Sequence, residues 1–330
     1  MNLTNGNTLP FTFVTGEEAV KGMRECLLSV YGQKGNYVSP NMMGEDFLLE
    51  SIQRGGTRLF AAISQDGTAA AAVAAKNNPH FEKSFEICSL AVRPEYRGFR
   101  LGDVITGHVL DECGRADSSL FYAHILMFHT RVSTIYEGKG FVPTGFLMGV
   151  CDARKHLSEL SCHSRKHSWS VYVKNSGQSK PKTLYVSERL TGLIGNVYAA
   201  LGTAPVIDSS DLNPFEGCHV EYEQDEYHKT LYIYVLTSGN SLREEVEAIE
   251  RNYADELQTI VLFLNINDTG AVYGYETLKQ SGYVLSGIKP LCGDHEYILM
   301  SKTKGVVIDT TEFQMTDALK SLFERIGEAG

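Results

Sequence analysis

The segment Phe85–Gly102, FEICSLAVRPEYRGFRLG, decides how the rest of the chain is read. From Glu86 to Val92 apolar and β-branched residues form a short run with no breaker inside it, which predicts a strand. Pro94 ends the run, and Tyr96–Gly102 is a tight turn containing arginine and glycine. From Asp103 to Arg115, residues Val104, Ile105, Val109 and Leu110 recur at helical spacing. The order is strand, basic turn, helix start. A helix start presents unpaired backbone N–H groups and a partial positive charge to an anion. Glycine lets the backbone come close, and Arg97 and Arg100 add full charges. The segment therefore reads as a phosphate cradle, although it contains neither GxxxxGK[ST] nor GxGxxG. The plainer alternative is a surface turn with two solvated arginines.

The turn resembles the acyl-CoA-binding signature of the GNAT acetyltransferase superfamily: Arg or Gln, two residues, Gly, one residue, then Gly or Ala. Arg97 and Gly102 match it, and Arg100 stands where the first glycine is usual. Arg100 either loosens the wrap of the backbone around a pyrophosphate or places a cation beside it. A second stretch strengthens the resemblance. Leu120–Phe128 is an apolar strand, Arg131–Lys139 reads as a short helix, and Tyr136, Gly140 and Phe141 match the Tyr-x-x-x-Gly-Phe that closes the family's second signature. His129 falls where an asparagine is usual. The two signatures together cover about residues 11–150.

Glu86 is the one carboxylate in its strand. Burying it would cost free energy and raise its pKa, which suits a general base near neutral pH. The alternative is a strand-start glutamate facing water. The resemblance implies a catalytic glutamate at this place. It implies that the backbone of Leu90, Ala91 and Val92 pairs with a pantetheine arm where two parallel strands splay apart. It also implies that Arg97, Gly98, Phe99, Arg100, Leu101 and Gly102 hold the pyrophosphate, that His129 bonds to the cofactor, and that the Tyr136 phenol protonates the departing thiolate. Packing roles are the alternatives for Tyr136 and His129. His124, inside an apolar strand, reads as a core histidine, and Cys88 and Ser89 as packing residues.

With 330 residues, 43% hydrophobic and 21% charged, the chain is long enough for two globular domains. No apolar run approaches the ~20 residues that span a bilayer, and MNLTNGNTLPF has neither the basic start nor the apolar segment of a signal peptide. Seven cysteines without CxxC spacing read as reduced thiols in a cytoplasmic protein, with no metal site expected. His156, Cys162, His163 and His167 lack the paired spacing of a metal centre. The net charge of −10 is uneven: −2 over residues 1–150, +4 over 151–180 and −12 over 181–330. An acidic half argues against nucleic acid as partner. Glu221, Glu223, Asp225 and Glu226 either draw a cationic amine or only keep the chain in solution.

Elsewhere Glu17–Tyr31 and Asp46–Arg54 read as helices. The loop between them, with Tyr31, Tyr37, Met42 and Met43, is either acceptor-lining or plain surface. Arg58–Ile63 and Thr68–Ala75 read as a hairpin about Asp66-Gly67. The poor β-formers Ala69–Ala72 suit close packing of a helix. Residues 151–182 read as a basic loop and linker. Beyond them the pattern repeats: strands at His219–Glu223 and Lys229–Thr237, and a helix at Ser241–Tyr253 opened by a Ser241/Glu244 capping box. A strand at Gln258–Asn265, a helix at Ala271–Ser281, strands at Tyr283–Ile288 and Glu296–Ser301, and a helix at Asp317–Ile326 follow. Tyr275 and Gly282-Tyr283 resemble the YEGKGF segment, but no Arg/Gln-rich glycine turn precedes the Ser241 helix.

These readings predict an α/β (mixed-sheet) fold with a GNAT catalytic domain at 1–150, a linker at 151–182 and a degenerate GNAT-like domain at 183–330. The expected function is N-acyl transfer from acetyl-CoA or another short acyl-CoA to a small-molecule or peptide amine, with no nucleic acid or membrane partner. The alternative is a coenzyme A-binding regulator without turnover.

Overall fold

The computed structural model describes residues 11–31, 44–114, 120–152, 166–176, 182–210, 216–253, 257–293 and 295–330. The described residues divide into two compact units, the first ending at His124 and the second starting at Ile125. Both mix strands and helices, as the sequence predicts.

The first unit contains β1 (Thr12–Thr15), α1 (Ala19–Tyr31), α2 (Glu45–Gln53), β2 (Thr57–Ile63), β3 (Ala69–Asn78), β4 (Phe81–Val92), α3 (Leu101–Gly114) and the start of β5 (Leu120–Leu126). Its strands lie in the order β1-β2-β3-β4-β5. β2 and β3 form the expected antiparallel hairpin, with Ile63 opposite Ala69. In the turn Asp66 Oδ1 accepts from the Thr68 N–H at 3.0 Å, and Gly67 takes φ +83°. Hydrogen bonds from Ser64 and Thr68 hold the exposed Asp66 carboxyl below its usual range.

The alanines of β3 answer a packing need. α1 crosses the sheet at Gly22, where an added Cβ would lie 2.8 Å from Ala61 Cβ and 3.3 Å from Ala69 Cβ. Ala19, Met23, Cys26 and Leu27 of α1 share a buried core with Leu48, Leu59, Ala72, Ala74 and Ala91. Small residues on the strands and a glycine on the helix bring the backbones together, at the cost of the β propensity that alanine lacks.

The second unit holds α4 (Arg131–Gly138), β6 (Val142–Asp152), β7 (Lys166–Asn175), β8 (Thr183–Tyr185), α5 (Thr191–Ala200), β9 (Val206–Asp208), β10 (His219–Asp225), β11 (Thr230–Thr237), α6 (Leu242–Asn252), β12 (Thr259–Asn265), α7 (Ala271–Gln280), β13 (Val284–Cys292), β14 (His295–Thr303) and α8 (Asp317–Ala329). Its large sheet runs β7-β6-β13-β14-β12-β11-β10, and β8 pairs with β9 in parallel. The chain order of the first half recurs in the second. β3 and β4 are antiparallel, α3 leads to a parallel β5, then come α4 and the antiparallel β6/β7 pair. Likewise β10 and β11 are antiparallel, α6 leads to a parallel β12, then come α7 and the antiparallel β13/β14 pair.

Two expectations need correction. The stretch 151–182 is not all loop: residues 166–175 form β7, antiparallel to β6. Its basic residues concealed the strand, because Lys166 is 1% exposed with its ammonium donating to the His228 carbonyl, and His167 is also buried. The capping box at α6 does not form. Ser241 sits in a helical rather than extended conformation (φ −81°, ψ −3°) and makes no side-chain cap bond. Its hydroxyl bonds instead to Glu245 Oε1 at 2.8 Å, one turn on.

Candidate active site

β4 carries the site. Up to Glu86 it runs beside β5 in a parallel ladder of three pairs, Ser84–Leu120, Phe85–Phe121 and Glu86–Tyr122. On its other side it pairs with β3, where Ala74 faces Cys88 and Ala72 faces Ala91. Ser89 and Leu90 therefore oppose Val73 alone, a β-bulge, and Ser89 takes the left-handed φ of +55°. A bulge bends its strand and increases the local twist. The ladder to β5 ends before it, while Leu90–Val92 continue against β3. The predicted parting of two parallel strands has this physical cause, and Ser89, read from sequence as a packing residue, is its pivot.

Beyond Val92 the Arg93 N–H still bonds to the Ala70 carbonyl at 3.0 Å, and Pro94–Tyr96 form a single 3₁₀ turn. Arg97 is extended and exposed, its Nε donating to the Val92 carbonyl at 3.3 Å. Gly98 has φ +86° and Arg100 φ +57°. Arg100 thus adopts the left-handed conformation that glycine would take freely, at a cost of about 1–2 kcal/mol. Arg100 holds a glycine-like backbone conformation and adds a cation at the turn. The Arg100 guanidinium reaches Asp103 at 3.0 Å while remaining 73% exposed. Helix α3 begins at Leu101, and its first ladder bond is Val104 N–H to Arg100 O at 3.1 Å. The N–H groups of Leu101, Gly102 and Asp103 precede that ladder. Leu101 and Gly102 are buried and Phe99 is half-buried, so this part of the turn is anchored in the protein.

Glu86 stands at the last rung of the β4–β5 ladder and faces Lys76 of β3 across the sheet. Its Oε1 lies 3.0 Å from Nδ1 of His124, and the two side chains are 24% and 14% exposed. His124, read from sequence as a core histidine, is the carboxylate's hydrogen-bond partner. The parallel register carries the reason: Tyr122 faces Glu86, and His124 is two residues on, on the same face of β5. Cys88 lies two residues beyond Glu86 in β4, and burial pushes its thiol up to about 11, which disfavours the thiolate at neutral pH.

In the second unit Tyr136 is 1% exposed, its ring edge-on to Phe141 at 4.9 Å. The following residue, Glu137, accepts hydroxyl bonds from Tyr172 at 2.9 Å and Thr316 at 2.5 Å, which tie α4 to β7 and to the start of α8. His129 is half-buried, its Nδ1 has no hydrogen-bond partner among the described residues, and burial holds its pKa below the usual value. A neutral ring there can give or accept a hydrogen bond. Tyr37, Met42, Met43, His156, Cys162 and His163 lie outside the described residues.

Residues 28–141 match the family model described as Acetyltransferase (GNAT) family. The chain carries a GNAT acetyltransferase domain. The match takes in the cradle, Glu86, His124, Tyr136 and Phe141. Solved structures similar to the chain include spermidine/spermine N-acetyltransferase SpeG from Vibrio cholerae, at 15% identity and TM-score 0.39, covering 51% of this chain and 94% of that one. A GNAT-family structure from Desulfovibrio desulfuricans has 15% identity and TM-score 0.38, covering 51% and 100%. A protein of Acinetobacter baylyi ADP1 assigned to the acetyltransferases has 12% identity and TM-score 0.42, covering 51% and 94%. No curated protein matches the chain. Among the described residues no helix is long and apolar enough to cross a membrane.

The GNAT turn after α4 also corrects one correspondence. The Lys139 and Phe141 N–H groups both bond to the Tyr136 carbonyl, at 2.9 and 3.0 Å, around Gly140 at φ +81°. After α7 the Ser281 and Tyr283 N–H groups bond to the Leu278 carbonyl in the same way, at 3.0 and 3.1 Å, around Gly282 at φ +87°. Leu278, not Tyr275, occupies the place of Tyr136 in the second half. The shared residue type, tyrosine, suggested Tyr275, whereas the spacing to the turn glycine agrees with Leu278.

Proposed function

We propose that the chain is an N-acyltransferase that moves an acetyl or short acyl group from acyl-CoA to a primary amine by direct attack. The observation that carries the reading is the parting of β4 from β5 at the Ser89 bulge, followed by an arginine-bearing left-handed turn into α3. A peptide-like pantetheine arm suits a strand edge released from its ladder. A pyrophosphate suits N–H groups at a helix start with Arg97 and Arg100 beside them.

In this reading the backbone of Leu90–Val92 orients the thioester, and an N–H near Val92 polarises its carbonyl. Glu86 removes a proton from the substrate ammonium, directly or through water, and the amine attacks the carbonyl. The Tyr136 phenol protonates the leaving sulfur, and His129 adds a hydrogen bond to the donor. Holding both reactants in register supplies much of the rate. Residues 1–150 with β7 form the catalytic domain, and residues 183–330 a second, GNAT-like domain without chemistry of its own. Its β11–β12 ladder is continuous over six pairs, Thr230–Thr259 to Val235–Leu264, and Leu278 replaces the phenol. Such a ladder offers no released edge.

A second reading, a coenzyme A-binding regulator without turnover, is favoured by one observation: Tyr136 is 1% exposed. A screen of amines against several acyl-CoAs, following thiol release, separates the two. The first reading predicts thiol release with at least one amine, and the second predicts binding of coenzyme A with none.

A further inference from the structure

From sequence His124 reads as a core histidine, yet the structure sets its ring against Glu86 of β4. Four observations bear on this contact. Glu86 and His124 stand at the end of the β4–β5 ladder, where backbone pairing stops holding the two strands in register. Their side chains meet at 3.0 Å through Nδ1, the ring nitrogen nearer the backbone. Both are largely but not wholly buried, at 24% and 14% exposure, so the contact is shielded from solvent yet open to a reactant. Lys76, Cys88 and Tyr122 are their titratable neighbours on β3, β4 and β5, with Lys76 and Tyr122 opposite Glu86 in the strand registers.

We propose that His124 is a positioning residue for Glu86. Its Nδ1–H donates to Oε1 and fixes the orientation of the carboxylate that takes the substrate proton. The inference rests on the acyltransferase reading for its consequence, but not for its geometry. Glutamate has three side-chain torsions and loses considerable rotamer freedom when held in one orientation. A donor on the neighbouring strand removes that freedom before substrate arrives, which is how a supporting hydrogen bond preorganises a catalytic group. The bond also dictates the tautomer. With Nδ1 protonated toward the carboxylate, a neutral ring carries its lone pair on Nε2. The imidazole takes no part in bond making, and the proton leaving the amine goes to Glu86.

Two measurements test this. The first is the ¹⁵N spectrum of the histidine-labelled full chain at pH 8, with His124 assigned by the loss of its signals in His124→Asn. A protonated Nδ1 is expected, with its shift changed in Glu86→Gln. An Nε2–H tautomer, or a shift indifferent to Glu86→Gln, overturns the proposal. This arm needs no turnover, so it decides the geometry even if no amine is ever acylated, an outcome that would defeat the acyltransferase reading instead. The second is steady-state kinetics with calorimetry of coenzyme A. His124→Phe removes the donor and is expected to lower kcat by about 10- to 100-fold with little change in KM or in the Kd of coenzyme A. His124→Asn, whose amide can place a donor near the position of Nδ1, is expected to recover most of the loss. Normal turnover in His124→Phe, an equal loss in both variants, or a parallel loss of coenzyme A affinity would each overturn the positioning role.

Discussion

Arg100 holds a backbone conformation that costs it energy, and its neighbour on the helix holds its side chain. The sequence shows an arginine where the family's turn has glycine, but a residue type does not reveal φ, and the positive φ of +57° emerges only in the structure. Replacing Arg100 by glycine keeps the left-handed turn and relieves about 1–2 kcal/mol of strain. It also removes an exposed pair with Asp103 worth about 0–1 kcal/mol. Thermal unfolding of Arg100→Gly should therefore show a melting temperature equal to or slightly above that of the parent. Coenzyme A affinity measured on the same sample should fall by about 1–3 kcal/mol, the scale of a charged hydrogen bond. A marked drop in melting temperature would mean that the turn depends on the arginine side chain rather than tolerating it. The thiols were legible too. Cys88 and Cys26, raised to about 11 and 12 by burial, should resist thiol-reactive reagents at pH 8 in the folded chain and react on unfolding. Rapid labelling of Cys26 in the native state would contradict its burial, and rapid labelling of half-buried Cys88 would contradict its raised pKa.

At the scale of elements, the hairpin at Asp66-Gly67, the arginine-bearing turn into α3 and the Tyr136–Phe141 turn were readable because each is written in local residue chemistry. The Ser89 bulge was not, since serine carries no signal for a left-handed strand residue. Nor was β7, whose lysines and histidine conceal a buried strand, nor the Glu86–His124 contact, which depends on the register of two strands far apart in sequence. The meeting of α1 with β2 and β3 tests the packing account. Gly22→Leu forces a side chain into a space where even a Cβ sits 2.8 Å from Ala61, and should lower stability by about 1–3 kcal/mol in urea unfolding. A neutral effect would show that α1 can move away freely. The α4 helix tests the chemistry. Its Glu137 is clasped by Tyr172 and Thr316, so the backbone at Tyr136 is well supported. Tyr136→Phe should leave coenzyme A affinity nearly unchanged and lower the single-turnover rate by ~10²–10⁴-fold, as for a general acid. An unaltered rate would assign Tyr136 to packing alone.

For the whole molecule, the two halves share an order of elements but differ in the features on which the proposed donor site rests. The first half has a short parallel ladder, a bulge and an arginine turn, and the second has a six-pair ladder and a leucine in place of the tyrosine. The recurrence was legible from strand and helix patterns. The loss of the phenol was masked by the nearby Tyr275, and the turn amides that bond to the Leu278 carbonyl make it plain. The acidic stretch of the second half is also more engaged than its sequence suggests. Glu223 accepts from the Tyr234 hydroxyl at 2.9 Å, Asp225 from the His228 N–H at 2.9 Å, and Glu221 lies 3.5 Å from His219. These carboxylates serve local structure first, and neutralising them would disturb β10 and β11 as well as the surface charge. The central claim is one donor site per chain, built on the cradle of the first half. It is tested most directly by calorimetric titration of the full chain with coenzyme A, run beside Arg97→Ala. The account predicts one site per chain and an affinity loss of about 1–3 kcal/mol in the variant. Two equivalent sites, or an affinity indifferent to Arg97, would contradict it.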